Sequence, residues 1–308
     1  ALNFAVFNAK LNGIENVEFR FGSLFEPVAD WRFDLIVTNP PYVISPESTL
    51  LFRDGGASAD GFCAGLVQAL PRKLEEGGFA CLLANWAHYG EEHWSDPARK
   101  WVEGSGCDCW LLHGHDHDPL AYAGDWNRHL TRAAYEKTLA EWAGYYDQLG
   151  IRSITSGGLV LRRRTGGPVW LRADELGERT VPLSDAIERV FASEDFLAAH
   201  SNEELLEMRF RIEASHRVVQ TVAPEGGDYA VQEMKLESTF EPPFQASLDG
   251  NTFNLLRRCN GRETLRQTLS EITSAAGGEP AAGRQRGMTI VRGLLAHGVL
   301  APCREENT

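Results

Sequence analysis

Three features of the sequence predict a doubly wound α/β fold with an appended α+β region. In the first half, short apolar runs that read as strands alternate with longer amphipathic stretches that read as helices. That alternation is the signature of a parallel sheet with helices on both faces. One apolar run, Phe33-Asp34-Leu35-Ile36-Val37-Thr38, ends on Asn39-Pro40-Pro41-Tyr42, and open α/β sheets bind ligands at the carboxyl ends of their strands. Beyond Gly166-Gly167-Pro168 the pattern changes to charged helices, an extended stretch, and then three helices with a short strand.

The elements follow in chain order. Leu2, Ala5, Val6, Ala9 and Leu11 lie near helical spacing, and Asn12-Gly13 closes that helix. Residues 17–21 alternate apolar and polar, which predicts a strand. The run at 33–38 is a buried strand, stopped by two prolines that have no N–H for a ladder. After a loop at 53–56, a helix is expected at about 59–74, closed by the turn Glu75-Glu76-Gly77-Gly78. A buried strand at 79–85, a helical stretch at 91–102 and a strand at 109–113 come next, followed by one long helix at 125–148 and a strand at 158–163. Beyond the boundary, 184–215 reads as helical and 216–242 as extended. Helices are then expected at 253–258, 262–273 and 288–297, with a Gly/Ala/Pro/Arg linker at 275–287. Three helices and a short strand predict a winged-helix-like unit from about residue 245. The division expected is 1–165 and 166–308.

Composition narrows the function classes. The chain has 308 residues and a net charge of −13, and neither half is basic. A broad grip on phosphates calls for clustered Lys and Arg, so global acidity argues against a large nucleic-acid footprint. Six cysteines without a CxxC pair exclude a disulfide scaffold and a zinc ribbon. No run of 18 apolar residues is present, and Ala1 is not followed by a signal-peptide pattern. The expectation is a reducing, cytoplasmic setting with no membrane span.

The strongest chemical signal is Asn39-Pro40-Pro41-Tyr42. Asn39 offers a side-chain carbonyl oxygen, Pro40 a backbone carbonyl on a fixed φ, and Tyr42 a flat face. Two acceptors and a ring suit a planar NH2 group, whose two N–H bonds and π-face they match. This run resembles the NPPY motif of class I S-adenosylmethionine-dependent methyltransferases that modify amide or exocyclic amine nitrogens, the release-factor glutamine and N6-adenine group. The resemblance covers residues 1–165. Gly22-Ser23-Leu24-Phe25 is similar to the family's GDLF turn, with Ser23 in place of Asp, and Gly55-Gly56-Ala57-Ser58-Ala59-Asp60-Gly61 is similar to its GG…DG loop. It implies a Rossmann-like sheet and S-adenosyl-L-methionine as cofactor, held by Ser23, Leu24 and Asn39. It also implies catalysis by Asn39, Pro40 and Tyr42, with Pro41 and Trp86 beside the acceptor. The glycine-rich cofactor loop of the family has no counterpart before residue 39, so the resemblance implies an N-terminally incomplete chain lacking the first strands of the sheet.

Other clusters read more blandly. The segment His113-Gly114-His115-Asp116-His117-Asp118 has metal-ligand residue types, but all lie within six residues without a distant partner. A solvated polar loop is expected there, and no metal. Cys107 and Cys109 are expected in the core, and Arg162-Arg163-Arg164 as surface charge. Arg257, Arg258, Arg262 and Arg266 are the best candidates for a nucleic-acid patch. The sequence thus predicts an N-methyltransferase acting on a macromolecule, with a protein glutamine, as in a release factor, as the favoured acceptor. The alternatives are an RNA or DNA base, and a methyltransferase-like binding module without activity.

Overall fold

The computed structural model describes residues 1–47, 50, 53–164, 166–177 and 182–303. Its central feature is a five-stranded sheet in the order β1-β2-β4-β3-β5, formed by β1 (Phe33–Thr38), β2 (Leu74–His88), β3 (Cys107–His117), β4 (Ser153–Arg163) and β5 (Leu171–Glu175). Before it lies helix α1 (Leu2–Leu11). Helices α2 (Gly61–Ala69) and α3 (Asp96–Val102) connect the first strands; α4 (Pro119–Trp126) and α5 (Arg132–Leu149) separate β3 from β4.

The α/β class is as expected, but the sheet is mixed. β1 runs parallel to β2, and β3 to β5, whereas β4 is antiparallel to both of its neighbours. The cause is the connection after β3. The predicted single helix at 125–148 is two, broken where Asn127 folds back and donates to the Ala123 carbonyl at 2.9 Å. This hairpin of helices packs Tyr122, Trp142 and Tyr146 against Ala87 and Ile154 at one end of the sheet. The chain therefore re-enters at the end it left, and Gly150, at φ 72°, makes the turn. A crossover along the sheet would have given a parallel strand.

One face of the sheet is sealed by α2 and α3. Ala80, Leu82, Ala84 and Trp86 of β2, Cys109 and Leu111 of β3, and Leu159 and Leu161 of β4 all pack on that side. The opposite face is covered only in part. Helix α6 (Ser184–Ala199) sets Ala186, Val190 and Phe191 against Trp110, Leu112 and Val160. Leu35 and Val37 of β1 remain 58% and 72% exposed. The strand predicted at 17–21 has no regular structure, because among the described residues no strand lies beside it to complete a ladder. The expected turn at 75–78 is an irregularity within β2, between the pairs Phe33–Leu74 and Leu35–Phe79.

The predicted boundary is displaced. Thr165 itself lies outside the described residues, but β5 joins the sheet beside β3, so the sheet extends past 165. The arginines read as surface charge are part of the junction that follows. Asp108 is fully buried and accepts from Arg162 at 2.5 Å and from Arg164 at 2.9 Å. Both arginines also bond Asp195 on α6.

After α6 come α7 (Asn202–Glu207) and β6 (Phe210–Ile212), and then the sheet β7-β8-β9 from β7 (His216–Glu225), β8 (Asp228–Ser238) and β9 (Gln245–Ser247). The three final helices are α8 (Gly250–Arg258), α9 (Leu265–Ala275) and α10 (Pro280–Ala296); β10 (Leu300–Pro302) pairs antiparallel with β6. The predicted linker at 275–287 is largely the start of α10. Glu279 caps it by accepting from Ala281 and Ala282. Its small residues permit close helix packing, since a Cβ on Gly287 would lie 2.4 Å from Leu269.

Arg172 on β5 ties the sheet to the end of α10. It donates to the Ala296 carbonyl at 2.8 Å and to His297 Nδ1 at 3.1 Å. Burial, reinforced by the Arg172 charge, holds the His297 imidazole well below its usual range, at about 4. The folded state thus prefers the neutral ring. Stability from this site is expected in full above about pH 6.5 and to decline as pH falls from there toward 4. Urea unfolding of wild type and His297→Gln at about pH 7 and about pH 4.5 checks this. The variant should lose less stability on acidification; equal losses refute the assignment.

Candidate functional site

β1 delivers the corner at 39–42 to the carboxyl end of the sheet. Its peptide ladder stops at Thr38, paired with Leu82, and the two prolines turn the chain away. Beyond Tyr42, Val43 and Ile44 are buried. The Ile44 N–H donates to the Tyr122 hydroxyl at 3.3 Å, and the Ile44 carbonyl accepts from the Tyr146 hydroxyl at 2.8 Å. Two tyrosines from α4 and α5 thus clamp the peptide groups of one residue. The Val43 N–H donates to the Arg53 carbonyl at 3.2 Å, and Arg53 is itself held by Asp54 at 2.6 Å and Glu47 at 2.5 Å. The corner is therefore braced from three sides.

The corner opens on a cleft of about 770 Å³, lined by Asn39 and Tyr42. Its floor is the sheet face, with Val37 and Leu83 uncovered and Leu112 under α6, and its far end reaches α6 at Ile187. Around the corner stand Asn85, His117, Tyr122, Asp125 and Trp126. The Tyr42 ring meets the Trp126 ring edge-on, with centroids 6.4 Å apart. Neither the Asn39 carboxamide nor the Pro40 carbonyl has a hydrogen-bond partner among the described residues. Burial, with His115 adding to it, lowers the His117 pKa, and its Nε2 lies 2.9 Å from Ser156 Oγ.

The predicted site residues fare unequally. Asn39 and Tyr42 line the cleft. Pro40 is buried behind them and Pro41 is half-buried. Trp86, expected to wall the acceptor pocket, lies on the other face of the sheet. It is fully buried and donates to the Trp94 carbonyl at 2.6 Å. Successive side chains of a strand point to opposite faces, so Asn85 occupies the place assigned to Trp86. Ser23 and Leu24 do not line the cleft; they sit exposed on the turn before the short helix at 26–28. Asp60, in the glycine loop, accepts the Ala87 N–H at 3.0 Å and so ties that loop to the end of β2; burial raises its carboxyl pKa.

The histidine-rich segment is strand rather than loop. β3 runs to His117 with a register shift between His113 and His115. Gly114 permits the shift, since a Cβ there would lie 2.8 Å from the Ser156 carbonyl. No group of three His, Cys, Asp or Glu side chains able to hold a metal occurs among the described residues. Two of the four arginines proposed for nucleic acid are occupied: Arg258 by Glu263 and Glu271, and Arg266 by Glu203 and Glu207.

Comparison with known proteins bears on both halves. Residues 188–302 match a family described as a domain of unknown function, DUF7782. A release factor glutamine methyltransferase of Aliivibrio fischeri is 57% identical over 44 residues, 14% of this chain and 16% of that protein. One from Geobacter sulfurreducens is 38% identical over 90 residues, 26% of this chain and 31% of that one. A ribosomal protein uL3 glutamine methyltransferase of Bradyrhizobium diazoefficiens is 30% identical over 115 residues, 33% of this chain and 36% of its own. Over those stretches the chain resembles the glutamine methyltransferases. It spans no more than about a third of the length of these curated relatives. Among the described residues no helix is long and apolar enough to cross a membrane.

Neither Asn85, Tyr122 nor Trp126 was singled out for the site from the sequence. Asn85 had a signal, the alternation Ala80, Leu82, Ala84, Trp86 that fills the sealed face and leaves odd-numbered positions to the cleft. The α4 residues had none, because only the helix hairpin brings them to the corner.

Proposed function

We propose that the chain takes part in methyl transfer from S-adenosyl-L-methionine to the side-chain amide nitrogen of a protein glutamine. The observation that carries this reading is that Asn39 and Tyr42 line the cleft, the Asn39 carboxamide without a hydrogen-bond partner among the described residues, in a chain similar to named glutamine methyltransferases. The cofactor, when bound, supplies an already activated methyl group. Asn39, Val37 and Leu83, which line the cleft, would hold its methyl end. Ser23 and Leu24 are assigned to the adenine end by the GDLF-like turn alone.

The work of the chain is positioning. Asn39 Oδ1 and the Pro40 carbonyl accept the two N–H bonds of the acceptor amide, which fixes the nitrogen in place. The same oxygens stabilise the positive charge that develops on that nitrogen as its lone pair leaves conjugation. Tyr42, backed by Trp126, supplies a flat wall for the amide plane. The apolar floor of Val37 and Leu83 offers no side-chain hydrogen-bonding group to compete with these contacts.

A soluble macromolecular partner suits the reading, as the relatives are named for a release factor and a ribosomal protein. Six free cysteines, four of them buried, suit the cytoplasm. The test is transfer of labelled methyl to a cell extract, followed by digestion with protease or nuclease. Protease-sensitive label, released as N5-methylglutamine by exhaustive enzymatic digestion and as methylamine by acid hydrolysis, is expected; nuclease-sensitive label would instead assign a base substrate. In the same assay Tyr42→Ala is expected to raise the acceptor KM about tenfold, the scale of a lost aromatic contact, with cofactor affinity unchanged by calorimetry. An unchanged acceptor KM would remove Tyr42 from the site.

A further inference from the structure

Tyr122 is only 1% exposed, yet it lines the same cleft as Asn39. Its hydroxyl oxygen accepts from Asn85 Nδ2 at 2.6 Å and from the Ile44 N–H at 3.3 Å, and the Trp126 indole, which can only donate, also faces it. A phenolic oxygen has two lone pairs and carries one hydrogen. Both lone pairs are occupied, so donation is the bonding capacity that remains. Among the described residues no acceptor takes that hydrogen. Burial pushes the Tyr122 pKa up, so the phenol keeps its proton. The contrast is Tyr146, whose hydroxyl hydrogen goes to the Ile44 carbonyl and which is not among the residues lining the cleft.

At the corner at 39–42, Asn39 Oδ1 and the Pro40 carbonyl are the acceptors assigned to the NH2 group, beside the donors that Asn39 Nδ2 and the Tyr42 hydroxyl also carry. A carboxamide presents an NH2 group on one side and a carbonyl oxygen on the other, and the oxygen needs a donor. We propose that the Tyr122 hydroxyl donates to the carbonyl oxygen of the acceptor amide, so that the site reads both ends of the carboxamide. This rests on the methyl-transfer reading above. Acceptors at Asn39 and Pro40 with a donor at Tyr122 select a carboxamide over a carboxylate, which has no N–H for the first pair. Asn85 and the Ile44 N–H act as positioning groups: by filling the lone pairs they aim the remaining hydrogen.

The test is titration of the full chain with N-acetylglutamine methylamide and with its side-chain thioamide, followed by NMR. The thioamide keeps the NH2 group, but its sulfur is a poor hydrogen-bond acceptor. Wild type is expected to bind the amide about tenfold more tightly than the thioamide, as expected of a site built to hydrogen-bond one group of its ligand. Tyr122→Phe should lower amide affinity to that of the thioamide, and Tyr146→Phe should leave the preference intact. Should Tyr122→Phe not fold, the comparison of the two ligands on wild type still decides. Equal affinity for both ligands in wild type, with amide binding abolished by Asn39→Ala, overturns the Tyr122 assignment alone. No amide binding, or binding indifferent to Asn39→Ala, overturns the methyl-transfer reading beneath it. Tighter binding of 9-methyladenine than of the amide overturns the choice of a carboxamide.

Discussion

Asn39→Ala is expected to reduce methyl transfer by about 10²–10³-fold while leaving S-adenosylmethionine affinity nearly unchanged. The carboxamide lines the cleft without a hydrogen-bond partner among the described residues, so its removal breaks no internal bond. Folding should therefore be unaffected, and the loss should appear at the chemical step. Removing one preorganised polar group from a site where charge develops costs a factor of this size. Single-turnover kinetics, paired with calorimetry on the cofactor, separates the effects. Turnover within about threefold of wild type would refute the role assigned to Asn39.

Asp108→Ala is expected to destabilise the fold by about 3–5 kcal/mol, the cost of leaving buried charge without its partner. Asp108 has no exposed surface and accepts from Arg162, Arg164 and the Trp170 N–H. Its loss leaves both guanidinium groups dependent on Asp195, whose side chain is 41% exposed. Asp195→Ala is the control: more of its pairing energy is screened by water, and about 1 kcal/mol or less is expected. Urea unfolding followed by circular dichroism measures both. Similar losses for the two variants would show that the buried carboxylate holds no special place in the junction between β3, β4 and α6.

These two residues also mark how far the sequence could be read. Asn39 was legible because two prolines end a strand wherever the strand lies, and because an oxygen acceptor and an aromatic ring beside them define a chemistry without reference to the rest of the chain. Asp108 was not. Its partner Arg162 lies 54 residues away, and Arg162-Arg163-Arg164 alone looks like solvated charge. The same holds at 275–287, where a composition typical of a linker serves instead to let α10 approach α9. Residues 17–21 show the converse: their alternation is that of a strand, but a strand exists only where a neighbour accepts its hydrogen bonds.

The sequence by itself determined the periodicities, the chain breaks and the chemistry of residues 39–42, since these depend on spacing and on the conformational limits of proline and glycine. Tertiary structure alone decided the direction of β4, the exchange of Trp86 for Asn85 at the cleft, and the arrival of Tyr122 and Trp126 beside the corner. The reason is physical: a period of two fixes that alternate side chains face apart, and only packing against distant helices chooses which face is buried and which receives a ligand.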